Sequence, residues 1–231
     1  MSVQEASWNT WLRSDNADNN SISYYVKGEI IGLLLDLEIR SRTQNAKSLD
    51  DVMRYLLQTY ANKGVGIPED GFLKAIETVA GSDFHDFYRT AVEGREELDY
   101  NRYLKYAGLA THIDKDSASI YIGVEFDRAD GNLARIKRVL PNSPAERSRL
   151  DAGDVIVSMA DERLTFDNFR SRLHSHKIGE TVKLSVLREE RLITVNIVPV
   201  EFQEERWSII EDSRATPEQL RLKNAWLGIK Q

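Results

Sequence analysis

Apolar positions recur with a helical period in the first part of the chain and a strand period in the second. In residues 28–40 (GEIIGLLLDLEIR), Ile30, Ile31, Leu33, Leu34, Leu35, Leu37 and Ile39 cover nearly every face. Such a pattern predicts a buried helix rather than an amphipathic surface one, with Ser23 or Ser21 as its N-cap. Ser48 and Asp51 form a capping-box signature ahead of Leu49, Val52, Met53, Leu56, Leu57 and Tyr60, and Gly64 is the expected stop. Pro68 is expected to open the next helix, with Phe72, Ala75, Ile76 and Val79 on one face and Gly81 as its end. Phe84, Phe87, Tyr88 and Val92 predict a fourth helix, and residues 98–108 a short fifth.

Beyond these the period falls to two. SIYIGVEFD, LARIKRVL, DVIVSMAD, TVKLSVLRE and RLITVNIVPV are short, rich in Val, Ile and Leu, and separated by polar turns. SPAERSRL and FDNFRSRLHSH interrupt them as helices, and one more helix is expected after Thr216-Pro217. The reading is α+β: an all-helical bundle over residues 1–106, a small β-sandwich or barrel with two helices over 107–202, and a tail over 203–231.

Composition narrows the function classes. Residues 1–105 carry 12 Lys/Arg against 17 Asp/Glu, and the remainder 19 against 20, which together make the formal net charge of −6. Neither part has the basic excess that nucleic acid or an anionic membrane would require, so neither is an expected partner. The absence of cysteine excludes disulfides and thiolate chemistry. The N-terminus has no signal-peptide core, and the apolar run at 30–39 is broken by Asp36 and Glu38, so the chain reads as soluble with its compartment open. No GxSxG, Walker loop or GxGxxG is present.

The stretch VLPNSPAERSRLDAGDVIVSMADERL resembles the PDZ family, in the strand order of bacterial proteases. Ser148-Arg149-Leu150 departs from the usual Ala-Gly-Leu before the turn. The resemblance implies strand addition: a peptide pairs with an exposed sheet edge and its terminal carboxylate docks on backbone N–H groups. The carboxylate loop would be Tyr121, Ile122, Gly123 and Val124, and a helix over 166–175 would supply Phe169 and Leu173, with His174 beside them. These apolar residues could equally serve only the module's own core.

A second resemblance covers nearly the whole chain. ASWNTWLR, SYYVKGEIIGLLLDLEIR, SLDDVMRYL, GSDFHDFY and LDYNRYLKYAGL, followed by the PDZ-like module, are similar to the end of glycyl aminopeptidases, gluzincin zinc peptidases with a C-terminal PDZ domain. In that family a tyrosine of Tyr-x-Lys-Gly donates to the oxyanion formed when zinc-bound water attacks the peptide carbonyl. The matching residue is Tyr25, with Tyr24 and Lys27 as substrate-side candidates. The family's His-Glu-x-x-His is missing: His85, His112, His174 and His176 lie in no such motif. No metal site is expected in this chain, zinc being implied only for the parent enzyme. The resemblance therefore implies a C-terminal piece of an aminopeptidase, inactive alone, lacking its N-terminal catalytic domain and starting at an internal or expression Met1. The substrate would carry an N-terminal glycine or another small residue. The alternative is a stand-alone adaptor that binds peptides or protein C-termini through the PDZ groove.

Overall fold

The computed structural model of the chain describes residues 1–11 and 22–229. The alternative cap Ser21 and the last two residues of the ASWNTWLR stretch lie outside them. The described residues divide into two compact units, one comprising 1–11, 22–113 and 207–229, the other 114–206.

The first unit opens with α1 (Val3–Asn9), which starts at a capping box: Glu5 N–H donates to Ser2 Oγ and Ser2 N–H to Glu5 Oε2. The long helix α2 (Tyr24–Arg42) starts at Ser23, whose Oγ accepts from Val26 N–H at 3.3 Å. It is buried on two sides, which is why its apolar residues cover so many faces. Ile31, Leu34, Leu35 and Ile39 pack with α3 (Leu49–Thr59), α4 (Gly71–Ala80) and Phe84, Phe87 and Tyr103. Leu37 enters a second cluster with Leu104 and Ala107.

The boundaries differ locally from the sequence expectations. Helix α3 ends at Thr59, and Gly64 caps a separate 3-10 turn over Ala61–Lys63. Pro68 does not open α4; its carbonyl accepts from Gly71 N–H in a turn, and the helix begins there. The fourth helix is α5 (His85–Tyr88), which widens into a π-helical turn over Arg89–Glu93. Helix α6 (Tyr100–Leu104) follows, capped by Asp99.

The chain then runs along β1 (Leu109–Lys115) into the second unit, where every strand pairing is antiparallel. Strand β2 (Ser119–Tyr121) pairs with β9 (Val200–Phe202). The main sheet runs β3 (Val124–Ala129), β4 (Leu133–Val139), β5 (Val155–Met159), β7 (Val182–Arg188), β8 (Arg191–Ile197), with β6 (Glu162–Arg163) on β5. The sheet is open, so the β module is mixed with helices but is not a closed barrel. Its two helices are shorter than expected: α7 (Pro144–Arg147) and α8 (Phe169–His174). Ile136, Ile156, Leu164, Leu184 and Val186 form the centre of the core. Asp154, 2% exposed, is held by the Arg188 guanidinium at 2.7 and 2.8 Å and accepts from Asp151 N–H, which ties the 149–154 turn to β7.

Strand β10 (Glu205–Glu211) leaves this unit and pairs with β1. Helix α9 (Pro217–Trp226) packs Leu222 and Trp226 onto the Leu37–Leu104 cluster. Its Gln219 side chain donates to the Lys105 carbonyl at 2.6 Å, and its nearly buried Lys223 pairs with Glu211 at 2.5 Å. Trp207, Ile209 and Ile210 on β10 stay exposed.

Candidate functional site

Strand β3 is an edge of the main sheet, paired only with β4. Val124 and Phe126 turn inward onto the core, while Glu125 and Asp127 point to solvent. The strand begins at a loop whose shape depends on Gly123. That residue sits at φ +83°, and a Cβ there would fall 2.1 Å from Ser143 Cβ and 2.6 Å from its Oγ. Only glycine fits both the backbone and the space. Two carbonyls anchor the loop: Ile122 accepts from Ala145 N–H and Gly123 from Leu140 N–H.

The loop's amides are left without partners: neither Ile122 N–H nor Gly123 N–H reaches an acceptor among the described residues. The Gly123 carbonyl points toward β4, so the trans peptide sends Val124 N–H to the free edge. Three successive N–H groups can thus meet one anion, the arrangement that binds a carboxylate.

The second wall is α8. Phe169, 9% exposed, meets the Phe126 ring edge-on at 4.4 Å, and Leu173, 5% exposed, lies one turn further. A clip ties the far part of β3 to the segment before α8: Arg128 pairs with Asp167 at 2.6 Å and lies over the Phe166 ring, while Asn132 also donates to Asp167. The Arg128 hydrogen bond, with that of Asn132, holds the Asp167 carboxyl below the usual range. At the loop end Tyr121 stacks on Phe202 at 4.3 Å, and burial, with the Glu125 charge, pushes its hydroxyl above its usual range. His174 is exposed.

The structure therefore brings together Tyr121, Ile122, Gly123, Val124, Phe169 and Leu173. Sequence reasoning missed Phe126, which the alternation of VEFDRA signals, and Ser143, Asp167 and Phe202, which no local pattern connects to the loop.

Tyr24, Tyr25 and Lys27 stand in the other unit, on the first turn of α2. The Tyr25 ring is 73% exposed and lies against the half-buried Tyr24 ring, centroids 4.2 Å apart. Val26 beside it is 57% exposed. Lys27 lines a groove of about 360 Å³ with Val26, Ile30, Glu96 and Tyr100. Ile30 and Tyr100 also line an apolar groove of about 610 Å³ bounded by Leu33, Leu104, Trp207 and Ile209.

The donor set does not fit a catalytic zinc ion, which takes two histidines and a carboxylate in gluzincins. Among the described residues the one cluster of three metal-type donors is Glu77, Asp83 and His85, with a single histidine. Its atoms already serve the α4–α5 junction, where Glu77 accepts from Phe84 N–H and Asp83 from His85 N–H.

Residues 120–198 match the PDZ domain family. The periplasmic serine endoprotease DegP of Salmonella typhimurium is 33% identical over 81 residues, 35% of this chain and 16% of DegP. The crystal structure of an aminopeptidase N family protein from Idiomarina loihiensis superposes with a TM-score of 0.76 at 22% identity, over 92% of this chain and 38% of that one. The HtrA3 PDZ domain bound to a phage-derived ligand is 18% identical, over 41% of this chain and 92% of that one, at a TM-score of 0.32. The chain spans less than two fifths of the aminopeptidase N family protein and a smaller share of DegP. Residues 120–198 are a PDZ domain, a peptide-binding module, within a chain that shares its fold with part of an aminopeptidase N family protein.

Proposed function

We propose that this chain is the helical and PDZ part of a zinc aminopeptidase of the glycyl aminopeptidase type, and that its PDZ groove captures peptide or protein C-termini. The observation that carries peptide capture is the edge strand β3, which follows the unpartnered amides of Ile122 and Gly123 and runs beside α8. A ligand carboxylate accepts from those amides, its backbone extends the sheet, and its last side chain lies near Val124 and Leu173.

The peptidase reading draws support from the shared fold and from the exposure of Tyr25 and Val26 on α2. A stand-alone adaptor would be expected to cover them. In the intact enzyme the Tyr25 hydroxyl donates a hydrogen bond to the oxyanion formed at a peptide carbonyl, and Tyr24 and Lys27 flank the substrate. The metal-binding residues of such an enzyme would lie outside these 231 residues, and the chain alone would be inactive.

The test of peptide capture is fluorescence anisotropy of the chain with a labelled decapeptide ending in valine, as free acid and as C-terminal amide. Hydrogen bonds to a charged group contribute about 1.5–3 kcal/mol, so the free acid should bind about 10–100-fold tighter. Equal affinity of acid and amide would refute the reading.

A further inference from the structure

From the charges on the outer face of β3 we infer that the PDZ groove is built for C-terminal tails with a basic residue at the penultimate position and another at the fourth from the end. This rests on the peptide-capture reading above and adds a ligand class to it.

The register follows from the backbone. The Gly123 carbonyl points toward β4, where it accepts from Leu140 N–H. Alternation along the strand then turns the N–H and C=O groups of Val124, Phe126 and Arg128 to the free edge, and those of Glu125 and Asp127 back to β4. A ligand whose carboxylate sits on the Ile122–Val124 amides runs antiparallel to β3. Its last residue faces Val124 and its third-from-last faces Phe126. The penultimate residue lies directly across from Glu125, and the fourth-from-last across from Asp127. Directly opposed residues on one face of an antiparallel pair have Cβ atoms about 4.5–5.5 Å apart, close enough for side chains to interact.

The two faces of the ligand therefore meet different chemistry. Inward residues meet Val124, Phe126, Phe169 and Leu173, an apolar surface. Outward residues meet two carboxylates. Glu125 and Asp127 have cationic partners, but only at long range: Arg138 is 3.7 Å from Glu125 and Lys137 is 4.0 Å from Asp127. Both cations stand on β4, the side away from the ligand, and exposed pairs at such distances contribute little. Arg135 also lies on β4, across from Asp127. An added strand sits next to β3 and one strand spacing, about 4.8 Å, further from β4. Of the unclipped charges on β3 and β4, the two carboxylates are thus the nearest to the ligand's outward side chains, while Arg170, Arg172 and His174 stand across the groove on α8. Arg128, the remaining cation of β3, is held in the clip with Asp167.

Opposite-charge pairs across strands favour pairing and like charges oppose it, so each position should shift affinity by about two- to five-fold in either direction. The experiment is anisotropy at low salt with three labelled free-acid decapeptides ending Lys-Ala-Lys-Val, Ala-Ala-Ala-Val and Glu-Ala-Glu-Val. Wild-type chain and the double variant Glu125→Lys/Asp127→Lys are compared, both substitutions falling on exposed side chains. The wild type should bind the lysine peptide about ten-fold or more tighter than the glutamate peptide, and less selectively at high salt. The double variant should reverse that order. Three peptides bound alike by the wild type, or an order unchanged by the charge reversal, would overturn the inference and leave peptide capture standing. An amidated lysine peptide that binds as well as its free acid, or no binding by any peptide, would overturn peptide capture and this inference with it.

Discussion

Replacing Gly123 with alanine places a methyl group where two separate constraints exclude it. At φ +83° an L-residue costs about 1–2 kcal/mol. The new Cβ would lie 2.1 Å from Ser143 Cβ, well inside the usual contact distance of about 3.5–4.0 Å. A Cβ cannot rotate away. Ser143 is 4% exposed, and the backbone around it is held by the Ala145 N–H bond to Ile122 and its own N–H bond to Leu140. Overpacking of this kind adds about 1–3 kcal/mol, for a total of about 2–5 kcal/mol. Gly179 supplies the control within the same unit: φ is +80° and nothing lies within 4 Å of its Cβ position, so Gly179→Ala should cost only the strain. At about 4–8 °C per kcal/mol for a domain of this size, the PDZ transition should fall roughly 8–40 °C in Gly123→Ala and roughly 4–16 °C in Gly179→Ala. The four tryptophans, at 8, 11, 207 and 226, all lie outside residues 120–198. Calorimetry or far-ultraviolet circular dichroism can therefore follow the PDZ transition while tryptophan emission reports on the helical unit. Ser143→Gly should recover part of the loss in the Gly123→Ala background, since glycine costs only a few tenths of a kcal/mol at an N-cap. Equal destabilisation by the two glycine substitutions would refute the close-contact argument.

Three further outcomes follow from the same structure. Arg188→Leu should destabilise the PDZ unit by about 2–3 kcal/mol in urea titration, because Asp154 is left buried without its partner; the partly exposed guanidinium keeps this below the roughly 3–5 kcal/mol of a fully buried pair. If the proposed peptidase reading holds, Tyr25→Phe in the proposed parent enzyme should lower kcat about 10²–10³-fold with little change in KM, while the exposed side chain leaves the folding midpoint within about 0.5 kcal/mol; unchanged turnover would remove the proposed oxyanion role. The hydrogen bond from Asp83 and the charge of Glu77 hold the His85 imidazolium above its ordinary value of 6.5, so folding favours the protonated form. That contribution is present below pH 6.5 and is lost as pH rises through the raised value, so the helical unit's midpoint should fall more between about pH 6 and 8 in the wild type than in His85→Gln.

What could be read from the sequence depended on how local its physical cause was. The Ser23 cap, the Ser48–Asp51 box and the Gly81 stop each involve residues within a few positions, and each appears where the pattern placed it. The candidate loop at Tyr121–Val124 and the candidates Phe169 and Leu173 came from the resemblance to the PDZ family, and the structure buries the last two on α8. The ribbon of β1 and β10 was not legible. Every residue of β10 is exposed, so no buried face imposes an apolar alternation, and FQEERWSIIEDS reads as a tail. Pro68 and Gly64 carried the right punctuation but marked turns beside the helices rather than helix ends, a choice set by how the neighbouring segments pack.

The ribbon also bears on the order of folding during synthesis. The ion pair between Asp116 and Arg206 joins residues 90 positions apart, and β10 and α9 can reach the helices only after that length of chain is closed. Closing a flexible loop of such length costs entropy that grows with the logarithm of its length. A folded PDZ unit already holds both of its ends together through Lys115–Glu205 and Asp116–Arg206. The PDZ unit, which ends at Arg206, emerges from the ribosome before the rest of β10 and α9, so its early folding shortens the search by which α9 finds Leu37 and Leu104. A slow-folding PDZ variant would leave Leu37 and Leu104 uncovered on the nascent helical unit, with aggregation rather than loss of peptide binding as the first visible defect.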